Sequence, residues 1–232
     1  VIPLWARVFP FFHGESQATK PRANTERSYA DRLQRGRELH AASSGFTPGF
    51  APVDGSLEPD AFEEFLDGLD TLNNAVVTAV SGWQDSAGSR SELVTEIKAR
   101  ALRASSRVKS NTAWKAKLPQ VKGRQQGDQS FGDIKVLLDK LIAALGTVPG
   151  YDTSAPADIS IAGLQALSTQ LDGLNKLVAG REQALASARS PRKEGYDGEN
   201  GLSEKMKAIK EATKSQYGSQ SPQFLQVKGI RV

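Results

Sequence analysis

The residues able to do chemistry are few, and their spacing narrows what they could do. The chain has two histidines, His13 and His40, and no cysteine. A zinc site takes four nitrogen, sulfur or oxygen ligands at short, regular spacing. Two distant imidazoles with no thiols do not make one, and both read as surface residues. Glu63, Glu64 and Asp67 could attract a hard cation. An EF-hand loop, however, alternates oxygen ligands around a central glycine, and "DGEN" at Asp197–Asn200 is a fragment of that pattern. Neither Gly-x-Ser-x-Gly nor Gly-x-x-x-x-Gly-Lys-Ser/Thr occurs, so the usual hydrolase nucleophile turn and phosphate loop are missing. The expectation is a non-enzyme, with no catalytic residue, cofactor or metal.

Charge is the stronger chemical signal. The formal net charge is +4, but its distribution tells more than its sum. Between Asp54 and Asp70 every charged residue is acidic: Asp54, Glu58, Asp60, Glu63, Glu64, Asp67 and Asp70. From Lys98 to Arg124 every one is basic. Within that stretch Arg100, Arg103, Arg107 and Lys109, with Trp114 nearby, form a candidate basic face. Clustered cations contact phosphates and an aromatic ring stacks on a base. Segregated faces can also pair one subunit with the next, or be two solvated helix surfaces. Acidic residues elsewhere, including Glu204 and Glu211, oppose nucleic-acid binding at long range, so a homo-oligomer is the preferred partner.

A third feature is the apolar, aromatic opening, "VIPLWARVFPFFHGESQ". Its prolines forbid a continuous helix, and it lacks the basic start of an intact signal peptide. Ile2, Leu4, Trp5, Val8, Phe9, Phe11 and Phe12 would need cover. That cover is the chain's own bundle or a neighbouring copy; otherwise the stretch is sequence from upstream of the true start.

The elements that must position these groups are written twice. Gly45-x-x-Pro48-Gly49-Phe50 matches Gly146-x-x-Pro149-Gly150-Tyr151, and Leu69-Asp70-x-Leu72-Asn73 matches Leu171-Asp172-x-Leu174-Asn175. Phe62 falls opposite Leu164, Phe65 opposite Leu167, Val76 opposite Val178, Ser56 opposite Asp158 and Arg90 opposite Arg192. Val121-Lys122-Gly123 then matches Val227-Lys228-Gly229. Ordered matches with a slowly drifting offset predict an internal duplication with a period of about 100 residues.

Composition favours helix over strand. In each copy apolar residues recur at threes and fours, predicting three helices. Phe131 to Leu145 makes one stripe, with a weaker partner from Thr25 to Ser43. Phe62 to Trp83 and Ile161 to Leu185 make two seams suited to antiparallel packing. Leu93 to Val108 and Leu202 to Tyr217 make the third pair. Pro191 and "KEGYDGENG" read as the loop before the last helix, and Asn73 and Asn175 as flank residues of their seams. Beyond Gly218, Ser221-Pro222 predicts an extended strap, anchored by Phe224, Val227 and Gly229. Trp114, Val121 and Gly123 would anchor its counterpart. Gly123 and Gly229 would adopt backbone angles that other residues resist.

The stretch "YGSQSPQFLQVKGIR", Tyr217–Arg231, resembles the ending of a scattered family of uncharacterised bacterial helical proteins. Those endings run aromatic-Gly, Ser-Pro, an aromatic, then Val-Lys/Gly-Gly with Ile or Thr and Arg. The family's leucine-rich middle is similar to Leu174-Asn175, and its arginine pair to Arg189 and Arg192. The likeness covers most of copy two; "KSNTAWKAKLPQVKGR" in copy one lacks the Tyr-Gly and Ser-Pro elements. It implies a helical module and no particular chemistry.

The expected fold is all-α: an internally duplicated helical bundle of two three-helix modules, each followed by an extended strap. The divisions are an apolar arm at 1–23, module 1 at 24–124 and module 2 at 125–232. The expected function is structural: self-assembly, head to tail, into an ordered oligomer, tube or filament. Subunit contacts would come from the arm and the charged faces. The alternatives are a nucleic-acid-binding module using the basic helix 98–117 and a monomeric helical adaptor. No apolar run reaches the roughly 20 residues of a membrane helix. An extracellular or cell-surface setting fits the missing cysteines.

Overall fold

The computed structural model describes residues 23–117 and 130–232. Among these it is all-helical. The helices are α1 (Ala23–Ser44), α2 (Pro59–Ser110), α3 (Phe131–Gly146), α4 (Ile161–Asp197), α5 (Leu202–Tyr217) and α6 (Pro222–Lys228). A single helical turn at Tyr151–Ser154 and short 3₁₀ turns fill the connections. Residues 1–22, which hold the expected arm, and Val121 and Gly123 lie outside the described residues.

Local chemistry explains the helix ends. Ser130 and Asp133 make a reciprocal capping box at the start of α3, which satisfies amides that the first turn leaves open. Asp54 accepts from the Ser56 amide and caps the 3₁₀ turn before α2. Gly150, in the Pro-Gly-Tyr turn, has φ 69°, where a side chain would be strained.

Three expected features take another form. The second and third helices of copy one are a single helix, α2, of 52 residues. Pro191 does not open a loop but lies inside α4, which continues to Asp197. A proline deprives a helix of one amide, but Tyr196, one turn beyond, is fully buried and Gly195 sits against Leu69. That packing holds the last turns of α4. Finally, the segment after Gly218 is no extended strap, because 222–228 is helical. Pro222 does force Ser221 into extended geometry, but that is the geometry of an N-cap, and proline at the first helical position is pre-shaped for the turn. Ser221 Oγ accepts from the Phe224 amide. Gly229 has φ −72°, open to any residue; it is Gly218, at φ 91°, that needs glycine.

The described chain forms two compact units. One comprises α1 and α2 up to Thr78, together with Ala186–Val232; the other is Ala79–Leu185. The first unit buries Leu39, Phe62, Leu66, Leu69, Tyr196, Leu202, Ile209 and Val227 at 2% exposure or less. The second buries Ile97, Ala104, Val108, Leu138, Leu145, Tyr151, Leu164 and Leu171 equally well. Each of the valine, leucine, isoleucine and phenylalanine side chains among them contributes about 1.5–3 kcal/mol through burial.

Candidate functional site

The expected basic face lies on the part of α2 belonging to the second unit, and three of its four cations are already engaged there. Arg100 Nη1 donates to the Asp158 carbonyl at 3.2 Å and Arg100 pairs with Glu96. Arg103 pairs with the Asp158 carboxylate, and Arg107 donates to the Ser154 carbonyl. Together they clasp the connection between α3 and α4. The carbonyls at 154 and 158 belong to short turns, and guanidinium forks suit such acceptors. Lys109 is exposed.

Beneath this clasp the Tyr151 ring is fully buried, with its hydroxyl donating to the Ile159 carbonyl at 2.8 Å. Burial raises its pKa above the ordinary value of 10.0, and the charge of Arg107 opposes that rise. Trp114 rests on it with ring centroids 5.9 Å apart. Asp158, matched in sequence with Ser56, serves as a landing point for arginine.

The first unit holds a second polar cluster, and its central residues carried no functional expectation in the sequence. Arg32 Nη2 donates to the Tyr196 carbonyl at 3.0 Å, to Asp197 Oδ1 at 2.8 Å and to Ser203 Oγ at 2.9 Å. Its guanidinium lies 5.0 Å from the centroid of the Tyr196 ring. Arg192, only 3% exposed, stacks 4.2 Å from the centroid of Tyr29. Asn73 Nδ2 donates to the Tyr196 hydroxyl at 2.8 Å. Burial raises the Tyr196 pKa, and the Asn73 hydrogen bond and neighbouring arginines resist that rise. A cation over a ring face gains from the ring quadrupole, more so when water is excluded.

The two units repeat this device. In the second, Arg90 lies 3.8 Å from the centroid of Phe131, and burial lowers its pKa. The separation from Arg90 to Arg192 equals that from Tyr29 to Phe131: 192 − 90 = 102 and 131 − 29 = 102. Asn73 and Asn175 each bury a side-chain oxygen without a hydrogen-bond partner. The sequence held the signal for this in the matched arginines and the equal offset of the aromatic residues.

The expected C-terminal anchors lie in the first unit. Val227 is fully buried and Phe224 half-buried against the same core. Tyr217 packs on Phe46 with centroids 5.5 Å apart and donates to the Pro48 carbonyl at 2.6 Å. Of the acidic run, Asp67 and Asp70 face Arg37 at 3.8 and 3.4 Å, exposed pairs worth about 0–1 kcal/mol.

Among the described residues no group of three or more histidines or carboxylates is placed to hold a metal ion. No described helix is long and apolar enough to cross a membrane. No family model, curated protein or solved structure matches the chain.

Proposed function

We propose that this protein is a non-enzymatic structural protein, built from one helical module copied and joined, which assembles with further copies of itself into an ordered oligomer, tube or filament. The observation that carries the proposal is reciprocity within the two units. Arg192 of copy two stacks on Tyr29 of copy one, and Arg90 of copy one stacks on Phe131 of copy two. Tyr217 packs beside the Pro-Gly-Phe turn of copy one, and Trp114 on the Pro-Gly-Tyr turn of copy two. Each unit therefore joins the first helix of one copy to the end of the other. A module whose end fits the start of its own duplicate carries self-complementary surfaces, which is what association between identical subunits requires.

Equivalent positions support the duplication. Phe62 and Leu164, Leu69 and Leu171, and Val76 and Val178 are all buried at 2% exposure or less. Charged faces contribute less to the proposed contacts than their residue count suggests, because Arg37, Arg100, Arg103 and Arg107 have partners within the chain. Those contacts also weigh against the basic helix as a phosphate-binding surface. The main inter-subunit role falls to the apolar arm with Ile2, Leu4, Trp5, Val8, Phe9, Phe11 and Phe12. Light scattering and negative-stain microscopy of the full chain, beside a chain lacking residues 1–12, test this. Large assemblies should form with the full chain and vanish on deletion, with helical circular dichroism retained. Assemblies that survive the deletion would contradict the role of the arm; a full chain that stays monomeric would contradict assembly itself.

A further inference from the structure

We propose that residues 198–201 are the hinge of an exchange between molecules, in which α5–α6 of one chain fills the groove between α1 and the first part of α2 in a second copy. This rests on the self-association proposed above and adds a second segment to the arm as a route between copies.

The groove and its occupant are well defined in the first unit. Leu202, Met206, Ile209 and Val227 are buried against a core that includes Leu33, Leu39, Phe62 and Leu66. The polar contacts that seal this seat all reach far along the chain. Gln216 Nε2 donates to the Gly49 carbonyl at 2.9 Å, and its Oε1 accepts from the Ala51 amide at 3.0 Å. Gln223 Nε2 donates to the Thr47 carbonyl at 3.2 Å, and Lys205 Nζ to the Ser56 carbonyl at 3.3 Å. Nothing in these bonds depends on both partners belonging to one molecule, which is the condition for domain exchange.

The hinge is where the two copies differ. In copy one, Val94 and Ile97 are buried three residues apart on the unbroken α2. The offset of Arg90 and Arg192 puts Val94 opposite Tyr196, and the buried run Ile97, Ala104 and Val108 repeats the spacing of Leu202, Ile209 and Thr213, so the counterparts Tyr196 and Leu202 are six apart and separated by the break between α4 and α5. Copy two thus has Asp197–Gly201 where copy one has Thr95-Glu96, three residues more (5 − 2 = 3). If α4 continued as helix into α5, those residues would advance α5 by about 4.5 Å and leave it about 60° short of a full turn. It could no longer lie in its own groove, so turning back and running on are alternative states.

Glycine holds the turn. A Cβ at 198 would lie 2.5 Å from the Glu194 carbonyl oxygen, and one at 201 would lie 2.9 Å from the Tyr196 carbonyl carbon. Alanine at either position therefore disfavours the turn while favouring helix by about fivefold.

The test uses the full chain carrying Ala51→Cys and Gln216→Cys, joined by a short bismaleimide; the absence of native cysteine leaves no other thiol. With the native hinge most product should be linked within one chain. Adding Gly198→Ala and Gly201→Ala should raise the two-chain product at least about fivefold, with helical circular dichroism retained. Replacing Asp197–Gly201 by Thr-Glu, the copy-one register, should return the product to single chains. Loss of helix in the alanine variant, linkage still confined to one chain, or equal exchange in the shortened variant would each overturn the proposal. If the full chain assembles while linkage in the alanine variant is unchanged, the hinge fails and self-association stands. If the alanine variant exchanges while the native chain does not assemble, the hinge stands and self-association of the native chain fails.

Discussion

The two compact units differ in how the chain supplies them. Ala79–Leu185 is a single uninterrupted stretch, whereas the other unit brings Ala186–Val232 back to α1 and the start of α2. Their fillings differ accordingly. The uninterrupted unit is packed largely with aliphatic side chains around Tyr151, and its arginines clasp a nearby connection. The discontinuous unit relies on large rings, Phe46, Phe50, Phe62 and Tyr196, and on side chains that reach backbone groups 149–176 residues away. Joining distant segments costs loop-closure entropy, and rings with many polar seals offset that cost. Even at one pair of positions matched by sequence offset the solutions part. Leu66 is buried in the first unit, while Ser168, 102 residues on, is buried in the second and donates to Asp139 Oδ1 at 2.5 Å.

The sharpest way to break this comparison is to hollow out each unit at its matched position. Phe62→Ala should cost about 3–5 kcal/mol and Leu164→Ala about 2–5 kcal/mol. Native-state hydrogen exchange should show each loss concentrated in the unit that holds the residue. If Phe62→Ala exposes the amides of 131–185 as strongly as those of 202–228, the units are not separate in stability.

The stacked arginines come next. Arg192 is almost wholly buried and Arg90 only half-buried, so Arg192→Met should lower stability by about 2 kcal/mol and Arg90→Met by about 0.5–1 kcal/mol. Urea midpoints compare them, and equal losses would mean that burial does not set the difference. Smaller still, Ser168→Ala should cost about 1 kcal/mol. Burial alone would raise the Asp139 pKa, but hydrogen bonds from Lys135 and Ser168 outweigh it and hold the carboxyl below its usual range. A carboxyl with a depressed folded pKa adds stability above its ordinary value, and that stability fades as pH falls through the folded value. The serine variant should therefore lose less than the native chain between pH 7 and acid, as read from thermal midpoints.

The smallest effect is alkaline. Tyr151 and Tyr196 have pKa values raised by burial. Stability is then complete below the ordinary value of 10.0 and declines as pH rises toward the folded values. Tyr196→Phe should flatten that decline, and phenolate absorbance should show one late-titrating tyrosine fewer.

Much of this design was legible in the spacing of apolar residues. The stripes at Phe62–Val76 and Ile161–Val178 are the buried faces of α2 and α4, and the matched rings Phe50 and Tyr151 are both buried. What periodicity could not separate was a helix that continues from one that breaks. The same three-and-four spacing runs through Val94–Ile97 and resumes after Tyr196, and the turn between them packs backbone so closely at Gly198 and Gly201 that a Cβ would not fit. Ser-Pro at 221–222 has one local geometry that serves both a strap and a helix start, and the hydrogen bond from the Phe224 amide decides for the latter. Matching offsets pair Arg90 with Arg192 and Tyr29 with Phe131, but they do not say that each arginine covers the ring of the other half. The basic stretch showed its charge and not its partners, because two of the acceptors, at 154 and 158, are backbone carbonyls and the one distant carboxylate, Asp158, is brought to Arg103 only by the fold.

Sedimentation velocity of the full chain over a wide concentration range tests the central claim, that this protein is built to touch its own kind, most directly. Self-assembly predicts a sedimentation coefficient that climbs with concentration toward discrete larger species. A single monomeric boundary, unchanged from the lowest concentration to the highest, would contradict it.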